Sequence, residues 1–223
     1  MMKVVCVESY GGPILWKDVE RPRLPHEDDA LVATLNDYLQ QGRVVAGMLI
    51  LEVKAVGISF ADNLGLHGKY QVKAPLPVIP GAEAAGIVKT KASHVSMYEL
   101  GDNAGVILPW TTGTCAEEIL LHERQCVKLP ESDSQQMLID FVALGNNYQT
   151  AYFALVHRAP TSQWHGEILL VLGASGGAGV AALDVGKTLG ANVIACASTR
   201  AKRILCSKHG ADSLVDYSRR GWH

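Results

Sequence analysis

The sequence predicts an α/β protein in two parts. A β-rich, barrel-like part comes first, followed by the strand–helix alternation that builds a doubly wound parallel sheet. Three observations predict it. Short apolar strands separated by frequent turns run from the start to about residue 130. A helical pattern follows over residues 134–157, through Ala143, Leu144, Asn147, Thr150, Ala151 and Ala154. The apolar run of residues 168–172 then stops in Gly173, Ala174, Ser175, Gly176, Gly177, Ala178 and Gly179. From Val180 the residues Ala182, Val185, Gly186 and Leu189 recur at i, i+3, i+4 and i+7.

Residues 3–7 alternate as a strand, Gly11, Gly12 and Pro13 make a turn, and residues 15–19 offer a hairpin partner. Pro22 and Pro25 make the next stretch an extended edge or loop, since each removes a ladder donor. Asp28 and Asp29 are N-cap residue types, and Leu31, Leu35, Tyr38 and Leu39 share a helical face up to Gly42. This predicts a short amphipathic helix covering part of the core. Residues 48–56 read as a strand ended by Gly57, and residues 58–64 as a turn or short helix. Gly65, Gly68 and Tyr70 fall in a loop. Pro75, Pro77 and Pro80 hold residues 74–80 extended before a strand over 84–90. A tight turn over 100–105 precedes a strand over 106–108, a loop over 111–114 and a strand over 115–121. Gly190 stops the helix that begins at Val180, and residues 192–197 return as the second parallel strand.

A strand, a glycine turn and a helix bring backbone N–H groups and a positive helix end against a pyrophosphate. Gly176 and Gly179 fill the second and third glycine positions of the dinucleotide fingerprint, and Ala174 stands at the first. The candidate cofactor residues here are Ser175, Gly176, Gly177, Ala178, Gly179 and Val180. The same stretch spells G-x-S-x-G. A nucleophile elbow needs an acid and a histidine downstream, however, and only His209, Asp212, Asp216 and His223 follow, on too little chain. Gly186, Lys187 and Thr188 mimic the end of a Walker loop, but Ala181 occupies its earlier glycine position. A glycine turn with no ligand is the remaining alternative. At the end of the next strand an NAD site would carry Asp or Glu for the ribose. The chain has Ser198, Thr199, Arg200, Ala201, Lys202 and Arg203 instead, which suit a 2′-phosphate and so favour NADPH. At least one of the three cations is expected to lie on a solvated helix face.

With 223 residues and a formal net charge of −2, the chain is large enough for one or two cores and gives no electrostatic case for nucleic acid. No apolar run reaches the roughly 18 residues of a membrane span, and the first residues do not read as a signal peptide. The five cysteines, Cys6, Cys115, Cys126, Cys196 and Cys206, form no C-x-x-C pair, so reduced thiols in a cytoplasmic setting are expected.

The chain resembles the medium-chain dehydrogenase/reductase family, in its zinc-free quinone oxidoreductase (zeta-crystallin-like) branch. The resemblance rests on residues 55–62, 68–70, 75–86, 101–102, 147–152 and 173–179, in family order. It implies a GroES-like catalytic domain over 1–133, with 28–47 as an insertion, and a Rossmann NADP(H)-binding domain over 134–223 that is incomplete at its C-terminal side. Zinc-using relatives carry Cys and His where this chain has Ser59 and Ala82, so no catalytic zinc is expected. The resemblance places Thr150 near the nicotinamide, Ser59, Asp62 and Tyr70 along the cleft, and Lys202 and Tyr217 at the 2′-phosphate. Ser59 stands where the branch usually has Asn. The implied activity is hydride transfer from NADPH to a quinone or conjugated carbonyl. The substrate would be a small molecule, with neither nucleic acid nor membrane as a partner and a homo-oligomer compatible with the sequence. The alternative is a catalytically inactive, C-terminally truncated homologue that binds nucleotide weakly or associates with a full-length relative.

Overall fold

The computed structural model describes residues 1–24, 47–108, 113–159 and 163–222. The amphipathic helix expected after Asp28 and the first half of the loop expected over 111–114 lie outside them. The chain divides into two compact units, Met1–Ala143 and Leu144–His223.

In the first unit, β1 (Met2–Cys6) and β2 (Leu15–Val19) form an antiparallel hairpin in register Met2↔Val19 to Cys6↔Leu15. The main sheet has the order β6-β3-β4-β5-β7. Its strands are β3 (Met48–Gly57), β4 (Glu83–Lys91), β5 (Asn103–Ile107), β6 (Glu118–His122) and β7 (Cys126–Lys128), all antiparallel. Leu49, Leu51, Ala84, Val88, Ala104, Val106 and Leu121 alternate inward from this sheet to build its core around Tyr98. Among the described residues this sheet does not close on itself: β6 and β7 are its edges.

Several predicted boundaries shift, and the strand expected over 115–121 begins at Glu118. The strand expected from residue 106 begins at Asn103, where a turn was expected. Asn103 donates from Nδ2 to the Pro130 and Ser132 carbonyls, and a Cβ on Gly105 would lie 2.3 Å from the Phe141 ring. Gly105 is therefore a strand residue kept small so that Phe141 can pack on it. Gly65, expected in a loop, lies inside α1 (Phe60–Leu66) and is buried.

The long helix α2 (Gln135–Tyr152) is interrupted at Gly145, whose ψ of −117° is not helical, and continues into a π-type turn, Phe153–Arg158. In the second unit β8 (Ile168–Leu172), β9 (Asn192–Cys196) and β10 (Ser213–Val215) form a parallel sheet of order β10-β9-β8. Helix α3 (Gly177–Thr188) connects β8 to β9, and α4 (Arg200–Lys208) connects β9 to β10. A Cβ on Gly186 would stand 2.5 Å from Leu169 Cδ2. The glycine that mimics a Walker loop therefore serves the close approach of α3 to β8. Lys187 beside it pairs with Asp212 at 2.8 Å. No helix among the described residues is long and apolar enough to cross a membrane.

Candidate functional site

In the first unit the strand β3 ends at Gly57 and the chain turns through Ser59 into α1, because Ser59 and Asp62 form a capping box. Asp62 Oδ2 accepts from the Ser59 N–H at 2.7 Å and from Ser59 Oγ at 2.8 Å, while Oδ1 accepts the Gly81 N–H at 2.9 Å. Asp62, expected along the cleft, is fully buried; its carboxylate ties the start of α1 to the turn at Gly81. That turn has φ +103°, and a Cβ on Gly81 would meet Thr114 Oγ1 at 2.3 Å, so only glycine fits. Ser59 is half-buried, between the exposed side chains of Ile58 and Phe60. Tyr70, also half-buried, packs against Val7, Ala74, Val78 and Ala82. Cys115 sits nearby in the fold. Burial pushes its thiol up to about 11, and the charge of Asp62 adds to the shift, so it stays a thiol at neutral pH. Ala82 is buried and carries no donor atom. Among the described residues, no three His, Cys, Asp or Glu side chains converge as a metal site.

In the second unit the glycine turn follows β8. Gly173 takes the left-handed conformation, φ +64°, so the residue after it has no need of it; Ala174 is buried and donates its N–H to the Cys196 carbonyl at 3.1 Å. This explains why alanine stands at the first fingerprint position. Helix α3 begins at Gly177, three residues before the expected Val180, so Gly177, Ala178 and Gly179 form its first turn. Their N–H groups have no partner within the helix, and the N-cap Gly176 supplies no side-chain cap. A Cβ on Gly179 would lie 2.5 Å from the Gly173 carbonyl oxygen, whereas a Cβ on Gly176 would meet nothing closer than 3.4 Å. Gly179 thus closes the turn onto its helix, and Gly176 keeps the outer surface low. Ser175 is half-buried, and Gly176, Gly177 and Ala178 are exposed. Small residues over an uncapped, positive helix end fit a pyrophosphate.

Two strands bring the remaining groups together. The Ala197 N–H donates to the Val215 carbonyl at 3.0 Å, joining the carboxyl ends of β9 and β10. Ser218 Oγ reaches the Ser198 carbonyl at 3.4 Å, so the residue after Tyr217 lies at Ser198, while the Tyr217 ring stands 6.3 Å from the Trp222 ring. Thr199 caps α4, its Oγ1 accepting the Lys202 N–H at 3.3 Å. Lys202 is exposed and makes no ion pair among the described residues. Arg203 behaves differently. Its Nη1 donates to the carbonyls of Ala197 and Ser198 at 3.0 and 2.9 Å and pairs with Asp216 at 3.0 Å. It holds the turn together from inside, while Arg200 and Lys202 are the exposed cations. The Asp216 carboxyl lies below the usual carboxylate range through its bond from Ser218 and the charges of Arg203 and Arg219.

Thr150 lies on the exposed side of α2, with Oγ1 3.5 Å from Asn146 Oδ1. Its neighbour Asn147 has a role that the sequence did not assign. A Cβ on Gly177 would stand 2.6 Å from Asn147 Nδ2, so Asn147 lies directly on the glycine turn. Also unassigned was a cluster of three side chains from separate elements. Tyr148 on α2 donates to Asp184 on α3, and His209 Nδ1 lies 3.0 Å from the same carboxylate at the end of α4. The bond to Asp184, reinforced by burial, pushes the Tyr148 phenol up to about 12. A tyrosine spaced 36 residues from its partner leaves no local pattern to read.

Residues 45–131 match the family model of the alcohol dehydrogenase GroES-like domain. The chain is 40% identical over 170 residues to quinone oxidoreductase-like protein 2 of Bos taurus, covering 76% of this chain and 47% of that protein. The structure superposes on a probable oxidoreductase from Mycobacterium abscessus with a TM-score of 0.77 at 31% identity, over 99% of this chain and 63% of the other. The chain belongs to the medium-chain dehydrogenase/reductase family. It is quinone-oxidoreductase-like within that family. A second similar structure is the quinone oxidoreductase from Thermus thermophilus, described with its NADPH complex. It has a TM-score of 0.72 at 28% identity, over 97% of this chain and 60% of the other. The chain spans about half the length of the medium-chain dehydrogenase/reductase relative from Bos taurus that it matches.

Proposed function

We propose that this chain serves NADPH-dependent reduction of a quinone or conjugated carbonyl without zinc. The observation that carries the reading is the pairing of an uncapped glycine turn with a carboxyl-end cluster that offers hydroxyls and an exposed cation where an NAD site needs a carboxylate. The similarity to quinone oxidoreductases, one of them described with NADPH, supports it.

On this reading Ser175, Gly176, Gly177, Ala178, Gly179 and Val180 receive the pyrophosphate, through backbone N–H groups and the positive end of α3. Ser198, Thr199, Lys202 and Tyr217 receive the 2′-phosphate, with Lys202 as its ammonium partner. Thr150 lies beside the nicotinamide. When bound, NADPH supplies the hydride that the protein itself lacks. Ser59 and Tyr70 orient the substrate carbonyl, and Asp62 acts as a positioning residue by fixing the Ser59 hydroxyl. Ile58 and Phe60 supply an apolar surface at Ser59, and water or a hydroxyl delivers the proton. The zinc-independent reading rests on Ser59 and Ala82 at the ligand positions. The substrate is a small molecule, and a homo-oligomer is compatible with this.

Thermal shift of the 223-residue chain with NADPH and with NADH tests the cofactor assignment, and quinone-dependent NADPH oxidation tests the activity. A larger shift with NADPH together with turnover supports the proposal. Binding without turnover identifies a nucleotide-binding protein that is not an enzyme, and no binding of either cofactor sinks the proposal.

A further inference from the structure

Helix α2 does not end in an ordinary cap. Its backbone widens into the π-type turn Phe153–Arg158, a local geometry that recurs at functional sites. The widening gathers side chains that the sequence spaces irregularly. The His157 ring stands 5.8 Å from Tyr152, edge-on at 71°, and 5.6 Å from Phe153. The Arg158 guanidinium lies 5.1 Å from the Phe153 ring centroid. Tyr152 and Phe153 are each 51% exposed although each ring packs on His157. Together they border an open groove of about 590 Å³, within the size range of small-molecule sites, with Asn146, Gln149 and Thr150 on its polar rim.

We infer that this groove binds a small planar aromatic molecule carrying an anionic group, such as an aryl carboxylate. Three observations select that chemistry. Aromatic side chains at half exposure favour a flat π-system over a branched aliphatic one, because offset and edge contacts add to the area buried. Arg158 is exposed and makes no ion pair among the described residues, so the one formal cation at the groove is open to an anion. It is also placed by Phe153, so an anionic substituent on a ring laid against Phe153 and His157 meets a guanidinium already oriented. The inference goes beyond the nucleotide reading and does not need it, although Thr150 belongs to both.

The experiment uses the full chain without cofactor. Binding of 2-naphthoate, neutral 2-naphthamide and saturated cyclohexanecarboxylate is measured by equilibrium dialysis. Naphthoate is expected to bind about two- to fivefold more tightly than naphthamide, the ratio that an exposed cation supplies. Arg158→Gln should erase that preference while leaving naphthamide binding unchanged. Phe153→Ala should weaken both aromatic ligands, and Phe153→Leu, which keeps apolar bulk, should weaken them by loss of the ring alone. Absence of saturable naphthoate binding, equal binding of cyclohexanecarboxylate, or a naphthoate preference that survives Arg158→Gln overturns the inference. None of these outcomes depends on whether the chain binds NADPH.

Discussion

The polar groups around Ser59 and those at the carboxyl ends of β9 and β10 are satisfied in opposite ways. Around Ser59 the protein satisfies its own groups: the buried Asp62 carboxylate accepts three bonds from Ser59 and Gly81. At the parallel sheet, Arg203 and Asp216 close the turn from within, but Lys202 and the first N–H groups of α3 are left facing outward. A buried polar group without a partner costs more than an exposed one, so the first cluster has to be complete before any ligand arrives. The second is solvated and loses little by waiting. Polar residues of the same types are therefore scaffold in one unit and available to a ligand in the other.

The largest expected effect tests the scaffold side. Asp62→Ala strands the buried Gly81 N–H and the Ser59 groups, and should lower stability in urea unfolding by about 3 kcal/mol. Asp62→Asn, which keeps an acceptor for Gly81, should cost clearly less; equal losses would mean that the carboxylate is not the tie. On the other side, two glycines three residues apart should separate fold from binding. Gly179→Ala forces its Cβ against the Gly173 carbonyl and should cost about 2 kcal/mol. Gly176→Ala meets only a contact at 3.4 Å and takes a φ of −79° that any residue adopts. It should leave the melting temperature in place while weakening NADPH binding, as measured by calorimetry.

A smaller effect distinguishes the two neighbouring cations. Lys202→Ala should weaken NADPH about fivefold to tenfold and leave NADH and stability unchanged, since the side chain is exposed and makes no ion pair among the described residues. Arg203→Ala should instead lower stability by about 1 kcal/mol, through two lost carbonyl bonds. If both variants behave alike, the division of labour between them fails. The smallest effect is a pH window. The Tyr148 phenol is raised from 10.0 to about 12 in the folded chain, so its contribution is complete below pH 10 and is lost as pH rises through 12. Tyr148→Phe should therefore flatten the alkaline limb of a stability-versus-pH curve over that window and leave the acid limb unaltered.

Much of this was legible locally. The hairpin of β1 and β2, the β8–turn–α3 unit and the parallel return of β9 follow from alternation, helical periodicity and glycine placement, all of which act over a few residues. The helix α3 starts three residues earlier than its apolar pattern because Gly177 to Gly179 are helical without being amphipathic. The early start of β5 has a remote cause, the Phe141 ring over Gly105. Of the candidate residues, Thr199 and Lys202 meet through the cap of α4, and the pairing of β9 with β10 brings Ser218, the residue after Tyr217, to Ser198.

The sequence by itself determined the two-part α/β organisation, the glycine turn and the absence of a carboxylate at the end of β9, because each depends on residue type and near spacing. Tertiary structure alone decided which polar groups are spent. It buried Asp62 against Gly81, set Asn147 on Gly177, drew Arg203 inward while leaving Lys202 out, and opened the aromatic groove beside Arg158. The physical reason is that a side chain's hydrogen-bond partners and exposure depend on groups brought near it by packing, sometimes from far along the chain. Identity and spacing state what a residue is able to do; only its neighbours in space determine whether it is already doing it.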